Sequence, residues 1–568
     1  MSTQSLISLN KNQVLREDFR VSTNYFESDL PLRHFLQTRT SAEGYAHMQP
    51  KLQALGEAAA GEMNPLSLTA DKQGPVLVKR DFYGRDTNEI QFHPAYDALK
   101  RIAVDSDMFR VKWEPSLRER FAPELHRLGF STGFLYAMSE SGLYCPLCMT
   151  DGVARLIDRY CSTEDKARLL PRIYTDKVEA LFTGAMFLTE KAGGSDVGAN
   201  IVRATPHQGD YYLLNGEKWF CSNANAEIIF ALARPEGAAE GTRGLGIFLV
   251  EKQKPDGSKN EMNIIRLKDK LGVRSMASAE CILTDTWGKL IGEEGQGFKI
   301  MTDMINLSRL YNAVAAMGGS RRALIEVYQF LKYRTTFGKS ALEHALIREK
   351  MAELGTLHLM QFYLTWRAIE ALDAADNGHE QEAELIRLLT PMVKKSTAEH
   401  SVYSIRESME LMGGIGYIED GVMPKLMRDA MVLPIWEGAG NIMTLDMLRA
   451  SLKSNGFGVM CAEIAALLPK AGVHEAVLAA QLQEIQAVAK ELFRQPQEII
   501  ETTAKPLFER LTKLYAVVAM LRYEDSQSSV WIRIALEEAV TRYFTPSSLQ
   551  PKAPRSVAEI DTLIGWEF

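Results

Sequence analysis

The chain has 568 residues, 46% of them apolar and 24% charged, enough for three or four domains of ordinary size. That composition excludes a disordered scaffold, a collagen-like fibre and a disulfide-stapled miniprotein. A formal net charge of −7 gives no overall pull toward nucleic acid, and six cysteines in so long a chain read as reduced thiols of a cytoplasmic protein.

The first residues lack a basic segment followed by an apolar one, so no secretory signal is expected. No run of about 18 uninterrupted apolar residues predicts a membrane span. Residues 1–181 carry mostly helical spacing and read as an N-terminal helical domain. Residues 182–288 change character. Short β-rich runs at Tyr211–Leu214, Glu227–Leu232, Leu245–Val250 and Glu280–Leu283 are separated by turn signals at Asn215-Gly216, Pro235-Glu-Gly and Pro255-Asp-Gly. They predict a small antiparallel barrel or sandwich. After the Gly-rich link 292–298, helical periodicity returns through residues 289–452. A hinge is expected at Lys453–Gly458, followed by an extra helical domain over 453–568. In that tract Leu478, Leu482, Ile485, Val488 and Leu492 recur at three- and four-residue intervals, and Pro496 punctuates.

Three segments carry the residue types that chemistry needs. In Leu188–Val197, two glycines, Gly193 and Gly194, stand beside Ser195 and Asp196. They permit a turn whose N–H groups approach a phosphate, with the Ser195 and Thr189 hydroxyls as further donors. The segment is neither a Gly-x-Gly-x-x-Gly fingerprint nor a P-loop. In Asn215–Asn223, an aromatic at 220 and a hydroxyl at Ser222 fall on one side of a strand, a pairing suited to a planar cofactor. In Leu433–Met443, Glu437 stands among apolar, aromatic and glycine residues, where desolvation makes a carboxylate a stronger base. Cys145-x-x-Cys148 lacks the second pair that zinc wants and reads as packing, so no metal site is expected.

Together these segments resemble the acyl-CoA dehydrogenase superfamily, with its Thr-Glu-x-x-x-Gly-Ser-Asp, Gly-Glu-Lys-x-Trp and Ile-Tyr-Glu-Gly-Thr runs. Lys270–Arg274, Arg334-Thr-Thr-Phe-Gly338 and Met412–Tyr417 match further, in order. The AidB-type branch is nearer, sharing Phe92-His-Pro-Ala-Tyr96, Cys145–Thr150 and Ile435–Met443. The resemblance implies a mostly α, α+β fold: an N-terminal helical domain, a middle β-barrel or sandwich, a C-terminal four-helix bundle and the extra helical domain.

It also implies FAD as cofactor. Thr189 and the backbone near Met186 would meet the flavin's pyrimidine edge, and Gly194 and Ser195 its pyrophosphate. Phe220 would stack, Ser222 would face N5, and Asn441 would contact FAD. Arg334, Phe337 and Gly414 would reach FAD from a neighbouring subunit of a homodimer or homotetramer. Asn306 and Arg309 would lie at the acyl-CoA substrate, with Trp436 and Gly438 beside the base. Ala345 and Glu410 replace glutamines usual in the family.

The implied activity is α,β-dehydrogenation of a medium- to long-chain fatty acyl-CoA. Glu437 removes the α-proton, hydride passes to the flavin, and an electron-transferring flavoprotein accepts electrons. An acyl-CoA oxidase and an AidB-like DNA-binding, stress-protective flavoprotein are the alternatives. Residues 451–568 hold 12 Lys or Arg against 14 Asp or Glu, which argues against the phosphate attraction that DNA binding needs.

Overall fold

The computed structural model describes residues 21–545 and 553–567, so the expectation about the first residues lies outside the described ones. The chain divides into two compact units. Of the described residues, one comprises those within 21–61, 122–139 and 312–567; the other comprises Glu62–Phe121 and Glu140–Tyr311.

The second unit is built on strands β1 (Val76–Arg80) and β2 (Asp86–Gln91), which form a hairpin, and on a seven-stranded sheet. That sheet comprises β3 (Gly184–Phe187), β4 (Arg203–Gln208), β5 (Tyr211–Ser222), β6 (Ile228–Pro235), β7 (Gly246–Glu251), β8 (Met262–Leu267) and β9 (Ser278–Ile291). The pairings β6–β4, β4–β5, β5–β9, β9–β7 and β7–β6 close a ring, so the sheet is a barrel. It is not wholly antiparallel: β3 and β4 both run parallel to β6. Phe187, Val202, Leu214, Ile229, Phe248 and Leu283 are among the side chains that fill it.

One sequence expectation fails here. Asn215-Gly216 is not a hairpin turn, because β5 runs through it to Ser222. The ladder with β9 slips a register at Leu214/Gly216, where the extra residue lies on β9: Thr284 and Asp285, the latter at φ +48°, face Asn215 alone. Asn215 exchanges hydrogen bonds with Asp285, donating from Nδ2 at 3.0 Å and accepting from the Asp285 N–H at 2.9 Å. A turn dipeptide has become through-strand opposite a bulge.

In the first unit, the helices Ala345–Asp376 and Glu380–Met412 are the spine. The later helices Gly456–Leu467, Glu475–Leu492, Gln497–Met520 and Ser529–Tyr543 belong to the same compact unit. The buried Arg367 guanidinium bridges Glu382 and Glu463 at 2.8 Å each, and the Tyr515 hydroxyl donates to Glu463. Tyr363 stacks on Tyr523 and accepts from the Trp531 indole at 2.9 Å. At the expected hinge, the Asn455 N–H donates to Glu384 at 2.7 Å, and a Cβ on Gly456 would meet the Glu384 carbonyl at 2.7 Å. The turn is pressed against the spine. Of the predicted stripe, Leu478, Leu482, Ile485 and Leu492 are buried, but Val488 is exposed and Ala489 takes its place, the helix having drifted by one position.

The tract Gly456–Leu492 is long and apolar enough to cross a membrane by length and composition alone. Its backbone breaks at Gly472 (φ +60°, ψ −124°). The leading helix has 12 residues, about 18 Å, short of a bilayer's ~30 Å core.

Candidate active site

In the barrel unit, the site residues sit on β3, β5 and the loop after β3. The loop is anchored by a buried ion pair. The Glu190 carboxylate, 2% exposed, accepts from the Lys218 ammonium, 0% exposed, at 2.7 Å and from the Ile201 N–H at 2.6 Å. Burial holds the Lys218 ammonium below the usual lysine range. The Trp219 N–H donates to the Thr189 carbonyl at 2.9 Å, and Asn200 Nδ2 to the Leu188 carbonyl at 2.7 Å. The loop that presents Thr189, Gly194 and Ser195 is thus tied at both ends. Gly194 and Ser195 are exposed, and Met186 is half-buried on β3.

A second register slip of β5 against β9, between Lys218 and Cys221, lets two consecutive aromatics reach one ammonium. Lys268 Nζ lies 3.8 Å from the Trp219 ring centroid and 4.4 Å from that of Phe220. Strict alternation would have placed those rings on opposite faces. Phe220 remains 57% exposed, and Ser222 Oγ lies 3.5 Å from Ser278 Oγ. Lys268 and Arg266 both engage Glu280, and these contacts, Arg266 first, hold its carboxyl at about 2.

On the helix Gly297–Tyr333, Arg309 and Asn306 are both half-buried, and Arg309 Nη1 donates to Asn306 Oδ1 at 3.1 Å. Residue-by-residue reading of the sequence does not reveal a buried polar cluster in the same unit. There Asp151 accepts from Lys112 and, at 2.6 Å, from the Trp113 indole, with Tyr144 and Tyr311 ring to ring at 5.6 Å. Cys148 Sγ lies 3.4 Å from Ser308 Oγ, and none of the six cysteines is joined in a disulfide among the described residues.

In the other unit, Glu437 lies in the turn between the helices Met423–Ala430 and Gly440–Lys453. It is half-buried and sits at φ +57°, followed by Gly438 at φ +106°. A left-handed backbone at a residue with a Cβ costs free energy and aims the side chain where a helix or strand would not. Asn312 Nδ2 donates to the Leu433 carbonyl at 3.2 Å, and Lys394 Nζ to the Gly438 carbonyl at 2.6 Å. The Trp436 indole Nε1 is buried with no partner among the described residues. Asn441 is exposed in the first turn of the following helix.

Arg334, Phe337 and Gly414 are exposed on this unit. Phe337, 98% exposed, and Gly338 have φ of +48° and +81°. Both φ values are positive at the tip of the two-residue ladder β10 (Thr335–Thr336) and β11 (Lys339–Ser340), as a type I′ turn requires.

The barrel residues fit a flavin nucleotide. They combine an exposed aromatic face, an exposed Ser–Gly turn, and a Gly194 whose absent Cβ leaves room 3.1 Å from Thr189 Oγ1. The buried Asn200 Oδ1 has no partner among the described residues. Among those residues no group of three metal-ligating side chains converges.

Comparison with known proteins agrees. Residues 15–179 match the adaptive response protein AidB N-terminal domain. Residues 185–286 match the acyl-CoA dehydrogenase middle domain, and residues 295–452 its C-terminal domain. The chain is 31% identical to the putative acyl-CoA dehydrogenase AidB of Escherichia coli, across 85% of this chain and 87% of that one. It is 28% identical to acyl-CoA dehydrogenase family member 11 of Caenorhabditis elegans, across 89% and 85%. The crystal structure of C. elegans ACDH-11 in complex with C11-CoA superposes with a TM-score of 0.86 at 26% identity, covering 95% of this chain and 94% of that one. The chain belongs to the acyl-CoA dehydrogenase family, in its AidB-type branch.

Proposed function

We propose that the protein dehydrogenates a medium- to long-chain fatty acyl-CoA between Cα and Cβ, with Glu437 as the base that takes the α-proton. The observation that carries this reading is the Glu437 backbone. A carboxylate held at φ +57° beside Trp436, in a turn fastened by Asn312 and Lys394, is strain retained for aim. A thioester α-proton is too weakly acidic for a carboxylate unless charge on the carbonyl oxygen is stabilised as it develops. The Glu437 N–H is the chain's donor for that oxygen, and Trp436 excludes water around it. FAD, when bound, supplies the acceptor for the β-hydride. Met186, Thr189, Gly194, Ser195, Phe220 and Ser222 would hold it from the barrel unit. Arg309, with Asn306, would meet polar groups of the acyl-CoA.

The chain length rests on the C11-CoA bound by a structural relative. Assembly as a homodimer or homotetramer gives the exposed Phe337, Arg334 and Gly414 a partner's cofactor to meet, with Asn441 on the same unit. An electron-transferring flavoprotein serves as acceptor, and six cysteines outside any disulfide suit a cytoplasmic setting.

The test is anaerobic bleaching of the flavin by a series of acyl-CoAs. Bleaching that falls about 10²–10⁴-fold in rate in Glu437→Gln supports the base. Retained bleaching in that variant overturns it. Peroxide release in air marks an oxidase instead. A salt-sensitive shift of duplex DNA without bleaching marks the DNA-binding alternative.

A further inference from the structure

We propose that Lys394 is a positioning residue for this reaction: its ammonium fixes the Gly438 carbonyl, and through it both Glu437 and Asn441. The proposal rests on the reading of Glu437 as the base.

Lys394 lies on the Glu380–Met412 helix and is 1% exposed. Its neighbour Lys395 faces the carboxylates of Glu399, at 2.8 Å, and Glu509, at 3.1 Å. Lys394 turns to the carbonyl of Gly438 at 2.6 Å. Burying an ammonium is costly, so its hydrogen bonds matter more than those of an exposed lysine.

The carbonyl it holds is at the weakest point of the turn. Up to Trp436 the backbone closes on itself: the N–H groups of Leu433, Ile435 and Trp436 donate to Ala430 and Val432. From Ala439 onward the helix closes, with the Met443 N–H on the Ala439 carbonyl. Glu437 and Gly438 lie between, both at positive φ. The helix that follows starts at Ala439 without a side-chain cap. Rotation of the Gly438–Ala439 peptide would release the left-handed pair on one side and tilt the first helical turn, with Asn441, on the other. The lysine fastens that peptide. Charge assistance makes its bond stronger than a neutral amide's, which suits a bond opposing a strained backbone.

The experiment uses the flavin-loaded enzyme and compares Lys394→Met, Lys394→Gln and wild type. Two quantities are read in each: the rate constant of anaerobic flavin reduction and the dissociation constant of the acyl-CoA. Crystal structures of the variants give the φ of residue 437 independently of activity.

Misplacing a reacting group by about 1 Å costs on the order of 10²-fold. Lys394→Met should therefore reduce the flavin about 10²-fold more slowly, with acyl-CoA affinity changed less than about 3-fold. Residue 437 should leave the left-handed region. Lys394→Gln keeps a donor at similar reach and should recover part of the rate. If Lys394→Met does not fold, the loss and its geometry are read in Lys394→Gln against wild type.

Wild-type reduction in these variants, or φ at 437 unchanged alongside a rate loss, overturns the proposal. So does a loss that appears entirely as weaker acyl-CoA binding. Glu437→Gln separates the two claims. Unimpaired reduction there refutes the base assignment, whereas impaired reduction there with normal Lys394 variants refutes only the positioning role.

Discussion

Two segments carry the family's signature, and they are held by different means. The loop after β3 is fastened by a buried ion pair, Glu190 with Lys218, by the Trp219 N–H on the Thr189 carbonyl and by the Asn200 side chain on the Leu188 carbonyl. The turn around Glu437 is fastened by side chains that donate to carbonyls, Asn312 to Leu433 and Lys394 to Gly438, and it keeps a left-handed glutamate. The first arrangement is redundant and nearly unstrained. The second concentrates strain on the reacting residue. A cofactor platform needs only to stay put, whereas a base must be aimed, and aiming is where backbone strain is tolerated.

The largest effect should come from breaking the ion pair. Lys218→Met or Glu190→Gln alone leaves a charged or polar group buried without its partner, a loss of about 3–5 kcal/mol. In thermal unfolding that is a fall of about 10 °C for the barrel unit. The double variant Glu190→Gln/Lys218→Met should lose much less, since both charges leave together. Additive losses would show that the two side chains act separately.

Acid should separate the two units next. Burial pushes His400 down to about 4, and pushes His358, 6.5 Å away ring to ring, well below the usual histidine range. The unfolded chain therefore takes up these protons first. The contribution is fully present above about pH 6.5 and is lost as pH falls toward 4. For His400 the loss between pH 7 and 5 is about 2 kcal/mol, read as a lower urea midpoint, and His400→Gln should flatten it. The barrel's Glu280 behaves differently. Its carboxyl is held at about 2, so its contribution persists to about pH 4.5 and is lost only below that.

A smaller effect tests the strain itself. At φ +57°, Glu437→Ala retains the Cβ penalty and Glu437→Gly removes it. Neither has a base, so both should be inactive. The glycine variant should nonetheless be the more stable of the two by about 1 kcal/mol, within the 1–2 kcal/mol of a left-handed residue. Equal stability would mean the turn relaxes without the carboxylate.

How much of this was legible in the sequence differs between the two segments. The barrel, its strand cores and all three motif segments follow from local patterns, because turn residues, alternation and glycine placement are local physics. The bulges were not legible. Asn215-Gly216 suits a hairpin turn, and only the pairing with β9, which bulges opposite it, carries the strand straight through. The slip at Trp219-Phe220 likewise depends on where Cys281 and Ala279 fall opposite. Nor were the fasteners visible. Lys218 pairs with a residue 28 positions away, and Lys394 with a carbonyl 44 away. A lysine in a helical pattern reads as surface until the fold buries it. Val488 was lost to Ala489 for a simpler reason: an apolar stripe on one helix cannot say which of two neighbouring residues the partner helix covers.

The smallest expected effect lies in the cofactor loop. Gly194 is not at a positive φ, so alanine is permitted there and gains about 0.4–1 kcal/mol by narrowing the unfolded ensemble. Against that gain, the new Cβ would stand 3.1 Å from Thr189 Oγ1 and 3.4 Å from its Cγ2, close enough that the side chain must give by a few tenths of an ångström. Thr189 is half-buried and can turn, while its carbonyl stays bonded to the Trp219 N–H. The two stability terms should nearly cancel, leaving the melting temperature within about 2 °C of wild type. The turned hydroxyl is then the one lasting change, so Gly194→Ala should weaken flavin binding severalfold in equilibrium titration of the apoprotein. Thr189→Ala, which removes the hydroxyl, should weaken binding to a similar degree, and the double variant should be no worse than either. If the two losses multiply instead, Gly194 meets the cofactor through its own backbone rather than by making room for the threonine.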